Sequence, residues 1–327
     1  MKRFIIFSLA LFVLFSAVSG GISAYGWHLF TKIGPLQEDV TLVFEKGSGL
    51  RSISKKLVVA GVIHNDLAFI FGVRARSQGK NLKAGEYKIT QQLSGDDVLA
   101  LLVSGKTVAH YLTIPEGLQS REIAELIRRN SVLSGDLSVQ LPEGSLLPET
   151  YQFSRGDSKN SVAERMKKLQ IAAINKLWKN RTPDPLITSK QDLLILASIV
   201  EKETGLATER SHVAGVFLNR LKKKMRLQSD PTVVYGVTKG AADLGRPISK
   251  KDLAAKNKYN TYTVNGLPAG PICNPGLDSL KAVLNPLKTN DLYFVADGKG
   301  GHVFAPTLKA HNRNVRNWRK LKKAKTN

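Results

Sequence analysis

Cysteine is almost missing from this chain: Cys273 stands alone among 327 residues. One thiol excludes an intrachain disulfide framework and any multi-cysteine metal site. It lies in a Pro- and Gly-rich stretch without Ser/His/Asp-type partners, which marks it as a small packing residue rather than a nucleophile. Metal and cofactor signatures are missing too. His302 and His311 are too far apart for a zinc-binding helix, no His-Glu-x-x-His run occurs, and there is no phosphate loop or dinucleotide fingerprint. No cofactor and no metal are expected.

Acidic residues are scarce, 26 against 49 basic ones, for a net charge of +23. Such an excess points to anionic partners: nucleic acid, a phospholipid surface or anionic wall polymers. No zinc-finger spacing or RNP-like aromatic motif supports the first. The charge is dispersed over Arg220–Arg226, Lys167–Lys168 and Arg313–Lys325, which suits an anionic membrane surface or a carboxylate-bearing glycan. A membrane-tethered nucleic-acid binder stays open as a rival on charge alone. Hydrophobic residues make up 42%, so the chain folds, and its length allows two domains.

Charge of either sign is absent from Phe4 to Thr31. Phe4 to Val18 is dense in Phe, Leu, Ile and Val, and the stretch ends on Tyr25 and Trp27, an interfacial aromatic pair. About 20 apolar residues span a bilayer as a helix, so 4–27 is read as a transmembrane anchor. Lys2 and Arg3 in the segment 1–3 place the N-terminus in the cytoplasm and the rest outside. The rival is a signal peptide cleaved near Ser16-Ala17-Val18-Ser19-Gly20.

Two segments then align with each other. Leu42–Gly47 and Leu112–Gly117 each read as a strand ending at a Gly turn, followed by a helical pattern through Ile53 and Leu57 or Ile123 and Ile127. The second could belong to either side of a boundary near residue 140. From Ser161 the chain reads mainly helical: Val162–Trp178, then Asp192–Glu203 with Thr188 or Ser189 as cap and Gly205 at its end, then a helix from Thr208. Leu292–Ala296 reads as a buried strand, turning at Gly298–Gly301. The class is α+β.

The most informative run is Leu193–Thr204, an apolar stretch that flows into Glu201 and Glu203. A carboxyl at such a boundary tends to hold its proton, as a general acid must. The bland alternative is a buried helix fraying into a solvated end. Ala197–Thr204 resembles the signature of the endolytic murein transglycosylase (YceG-like) family. Further segments match in order: Pro148–Tyr151, Val216–Leu221, Arg226–Gly236, Tyr259–Tyr262, Gly266–Ile272, Asn274–Gly276 and Leu292–Gly298.

The resemblance implies a small LysM-like subdomain over 28–140, a catalytic domain over 141–318 and a basic tail over 319–327. It implies an enzyme at the cytoplasmic membrane, its catalytic domain extracytoplasmic, that cleaves between N-acetylmuramic acid and N-acetylglucosamine in nascent peptidoglycan strands. The C6 hydroxyl of the muramic ring is the internal nucleophile, so one Glu suffices and 1,6-anhydro ends form. The resemblance assigns that role to Glu201, while the residues alone separate it poorly from Glu203, which could pair with Arg220. Asn219, Gln228, Asp230 and Tyr235 are expected as supporting groups, and Tyr259, Asn260 and Tyr262 as substrate contacts. For each the alternative is a turn or core role, and Asp230-Pro231 reads as turn chemistry. Partners implied are peptidoglycan strands, with peptidoglycan synthases or division and elongation proteins. A non-catalytic wall-binding or division scaffold and a hydrolytic muramidase are the other readings.

Overall fold

The computed structural model describes residues 2–238, 240–241 and 243–326, and side chains from Phe4 to Lys323 apart from those gaps. The readings on Met1, on the Lys2 and Arg3 side chains and on the end of the basic tail beyond Lys323 therefore fall outside the described residues. The chain forms two compact units, Met1–His110 with Gln152–Asp157, and Tyr111–Tyr151 with Ser158–Asn327.

The first unit holds α1 (Lys2–Thr31), β1 (Val40–Phe44), α2 (Leu50–Val59), α3 (Asp66–Ala75), β2 (Gly85–Ile89) and α4 (Gly95–Ser104). Its strands pair antiparallel, Val40 opposite Ile89 and Phe44 opposite Gly85. Their inward side chains, Leu42, Phe44, Tyr87 and Ile89, meet Ile53, Leu57 and Val73 in one core. The 28 residues Phe4–Thr31 of α1 are long and apolar enough to cross a membrane. A helix of 30 residues is about 45 Å long, more than a bilayer core needs. Its last turn is used differently: Phe30 is buried against Gly72 of α3, where any side chain would collide with the ring.

β3 (His110–Thr113) follows, and it pairs with β4 (Thr150–Phe153). The second unit contains α5 (Ser120–Arg129), α6 (Lys159–Lys179), α7 (Lys190–Glu203), α8 (Arg210–Lys222), α9 (Asp230–Thr238), α10 (Lys250–Ala254), α11 (Leu277–Leu284), β5 (Tyr293–Ala296), β6 (His302–Ala305) and α12 (Leu308–Thr326). Both strand-turn-helix segments form, with Gly47 and Gly117 left-handed at φ of 85° and 76°. The second, β3 with α5, lies almost wholly in the second unit.

α7 is the axis of the second core. Leu193 to Val200 are all buried, each large aliphatic among them contributing about 1.5–3 kcal/mol. Ser189 starts the helix: its hydroxyl accepts from the Asp192 N–H at 3.0 Å while the Asp192 carboxylate accepts from the Ser189 N–H at 2.9 Å. Its end is not the glycine cap expected at Gly205. Thr204 turns extended, at φ −141° and ψ 128°, and its hydroxyl accepts from the Leu206 N–H at 3.1 Å. β5 is half-buried along its length rather than buried, each face partly covered: Phe294 meets Phe217 of α8 edge-on and Tyr293 stacks on His311 of α12.

Candidate active site

The last turn of α7 sends its two carboxylates in different directions. The carbonyl end of a helix dipole disfavours negative charge, so each Glu needs compensation. Glu201 finds it in full. Its side chain is 5% exposed, it accepts from the Gly276 N–H at 2.9 Å, and Arg210 stands 3.4 Å away. Gly276 is the N-cap of α11, so this carboxylate lies at the favourable end of a second helix dipole. Arg210 also reaches Glu116 at 2.9 Å and Asp278 at 3.9 Å. Burial and the neighbouring Glu201 hold the Glu116 carboxyl above its ordinary range. One guanidinium thus joins four segments of chain.

Glu203 has little compensation. It accepts the Ser229 hydroxyl at 2.5 Å and forms no ion pair among the described residues. Burial, reinforced by the negative charge of Asp230, pushes its carboxyl up to about 7. The expected pairing with Arg220 does not form, since that side chain donates to the carbonyls of Leu292 at 2.6 Å and Leu227 at 2.7 Å.

The peptide after α8 delivers Ser229. Gln228 is left-handed at φ 46° and itself exposed, while Leu227 and Ser229 on either side are buried. Asp230 and Pro231 open α9, Pro taking a first-turn position where its missing N–H costs nothing. Asp230 accepts the Tyr262 hydroxyl at 2.6 Å. Beside this group is a cleft of about 430 Å³ lined by Lys202, Asp230, Pro231, Val234, Tyr235 and Ile272, with Gln119, Glu122 and Asp243 on its other wall.

Of the residues expected from sequence, Asp230, Tyr262 and Tyr235 gather near Glu203 or line this cleft. The Tyr235 hydroxyl donates to the half-buried Glu143 at 3.3 Å, and its ring lies 4.8 Å from that of Tyr259. Asn260 plays another part: it is fully buried and its amide donates to Asp252, Leu253 and Ala255 carbonyls, closing the end of α10. Asn219 donates to the Thr289 and Asp291 carbonyls and lines a separate cleft of about 420 Å³. Buried Cys273 points its thiol at the Ser198 carbonyl, in keeping with a packing role.

Sequence reasoning passed over Ser229, Arg210, Glu116, Gly276 and Glu143. Glu116 and Glu143 each sit in a Pro-Glu-Gly turn and Ser229 and Gly276 lie inside the family-like segments, but their roles come from contacts made across distant parts of the sequence.

The sequence model of the YceG-like family matches residues 42–317. A protein of Bacillus subtilis named endolytic murein transglycosylase is 32% identical, the match covering 90% of this chain and 89% of that one. A Streptococcus pneumoniae protein of the same name is 31% identical over 96% of this chain and 65% of its own length. The crystal structure of a yceG-like protein from Listeria monocytogenes is similar with a TM-score of 0.51 and 32% identity, covering 85% of this chain and 99% of that one.

Proposed function

The chain belongs to the YceG-like family, and from that premise we propose that it is a membrane-anchored endolytic lytic transglycosylase of peptidoglycan with Glu203 as its acid and base. The observation that carries the choice of residue is the Glu203 carboxyl, raised to about 7 with a lone hydroxyl partner. It therefore keeps its proton for much of the population near neutral pH and is poised to give it up. Glu201, by contrast, is engaged by Arg210 and by the N–H that opens α11, which supports a structural role.

In the proposed reaction the Glu203 proton passes to the glycosidic oxygen as the bond between N-acetylmuramic acid and N-acetylglucosamine breaks. Positive charge grows at the muramic C1, and its own C6 oxygen closes on that carbon. Glu203, now ionised, takes the C6 hydroxyl proton. No water is consumed, and the enzyme returns to its starting protonation. An internal nucleophile supplies a high effective concentration, which is why one carboxyl is enough. Asp230, exposed at the cleft and fixed by Tyr262, opposes ionisation of Glu203.

For the first unit we propose the LysM-like, glycan-holding role, and for α1 the single-pass anchor with the second unit extracytoplasmic, cutting nascent strands beside synthases or division and elongation proteins. α12 has no acidic residue in 19, which supports an anionic membrane surface as a further partner.

Glu203→Gln in the full chain should reduce cleavage of purified wall glycan to background while unfolding stays cooperative, and Glu201→Gln should keep measurable turnover. A dead Glu201→Gln with native stability beside an active Glu203→Gln would move the chemistry to Glu201. Digestion in oxygen-18 water reads the reaction type. Unlabelled ends about 18 mass units lighter than hydrolysed ones are expected, because the attacking oxygen is internal. Labelled reducing ends would make the protein a muramidase, and absence of any cleavage would make it a scaffold.

A further inference from the structure

The cleft that Asp230 lines does not stop at Glu122 and Asp243. Both residues also line a second cleft, of about 790 Å³, that runs along α5 past Leu118, Arg121, Leu126 and Arg128. The two clefts adjoin at these residues, and the second leads away from Asp230. The lining changes character along the way. Near Asp230 it presents a phenol and carboxylates, against the ammonium of Lys202. Its far end is lined by three arginines and exposed Leu126, with no aromatic ring among its lining residues.

The sequence of α5 produces that far end. Ile123, Ala124 and Ile127 face the core, which turns Arg121, Glu125 and Arg128 outwards. Charges on this face are mostly spoken for. Glu125 lies 3.9 Å from Arg128 and 2.7 Å from Arg129, and Glu122 accepts the Gln119 N–H at 2.8 Å. Arg121, exposed at the groove, has no hydrogen bond or ion pair among the described residues.

An uncharged sugar ring is best held by an aromatic face, which this stretch lacks. A free guanidinium beside an exposed leucine suits a carboxylate carried by a partly apolar chain, because its planar fork matches carboxylate oxygens. Peptidoglycan strands carry such chains: short peptides branching from the muramic lactyl groups, rich in methyl groups and carboxylates. We propose that the groove along α5 holds the peptide-bearing side of the glycan strand, with Arg121 binding a stem-peptide carboxylate and Leu126 packing beneath the peptide. This rests on the Glu203 cleft being the site of cleavage. It makes the enzyme a reader of peptide-substituted strands, with the stem peptide setting how a strand lies across Glu203.

Binding measured without cleavage separates this inference from the catalytic reading. Full-length Glu203→Gln chain in detergent is titrated with purified wall strands carrying their stem peptides, and with the same strands after an amidase has removed them. Peptide-bearing strands should bind more tightly. Adding Arg121→Gln should lower the ratio of the two affinities about tenfold, the value of one charge-assisted contact. Arg121→Lys, which keeps the charge and loses the fork, should fall between. Equal affinity for the two kinds of strand, or a ratio that Arg121→Gln leaves unchanged, would overturn the proposal. Failure of the Glu203 reading would appear elsewhere, as wall cleavage that survives Glu203→Gln.

Discussion

Two glutamates two residues apart show how much a contact decides. Glu201 and Glu203 share one helical turn and one apolar approach, yet the first meets Arg210 and a helix N-terminus while the second meets a serine hydroxyl. The consequence is measurable as pH dependence. Below its ordinary value of 4.5, Glu203 is protonated in the folded and unfolded states alike; between 4.5 and about 7 only the folded state keeps the proton. Stability therefore falls as pH rises through that window, and above it the ionised group costs on the order of 2–3 kcal/mol. Glu203→Gln should remove that slope and be more stable than the parent above pH 7, by denaturant titration at several pH values, even though it should be inactive. In the parent, kcat/KM should fall as pH rises through about 7, because the acid is lost. A flat profile from pH 6 to 8 would contradict Glu203 as the group that gives the proton.

At the scale of elements, the end of α7 is built by what docks on it. Gly276 shows this best: a Cβ there would overlap the Glu116 carboxylate, which Arg210 holds at 2.9 Å. Gly276→Ala should push Glu116 off Arg210 and loosen the turn carrying Glu201 and Glu203, at about 1–2 kcal/mol as an overpacking defect. Thermal unfolding should show a lower Tm, and kcat should fall more than KM rises; an unchanged Tm would show that Glu116 has room to swing aside. Much of this architecture is legible in the sequence. The apolar run from Leu193, the hydroxyl at Ser189 and the Gly turns at Gly47 and Gly117 mark their elements locally, through periodicity, capping and backbone freedom. Three things were not legible. Thr204 ends α7 by an extended turn that competes with the more visible Gly205. Asn260, an amide in a loop sequence typical of ligand contacts, is consumed by the end of α10. The division of labour between Glu201 and Glu203 depends on Arg210, Gly276 and Ser229, and no local pattern announces a contact between residues 75 or 26 positions apart.

The molecule as a whole couples an apolar helix to a strongly basic remainder, and each part answers a different question. Charge carries no information about the fold, but it biases where the protein spends its time. The apolar helix, as the proposed anchor, would do so more strongly. In the proposed topology, Lys2 and Arg3 ahead of Phe4–Thr31 would hold the N-terminus in the cytoplasm and export everything beyond Lys32. A long basic domain does not oppose this, since long domains cross largely regardless of their charge. Tethering raises the local concentration of enzyme against strands still close to the bilayer, without any new contact. The last turn of α1, with Phe30 in the core of the first unit, makes the link a firm one rather than a loose leash. Cutting the chain within α1, ahead of Phe30, should therefore leave cleavage of isolated wall material intact. In cells, the released form should lose its selectivity for newly made strands, read as the length distribution of anhydro-ended glycans beside the parent's. A released form that restores the parent's distribution at equal abundance would reduce α1 to an export signal.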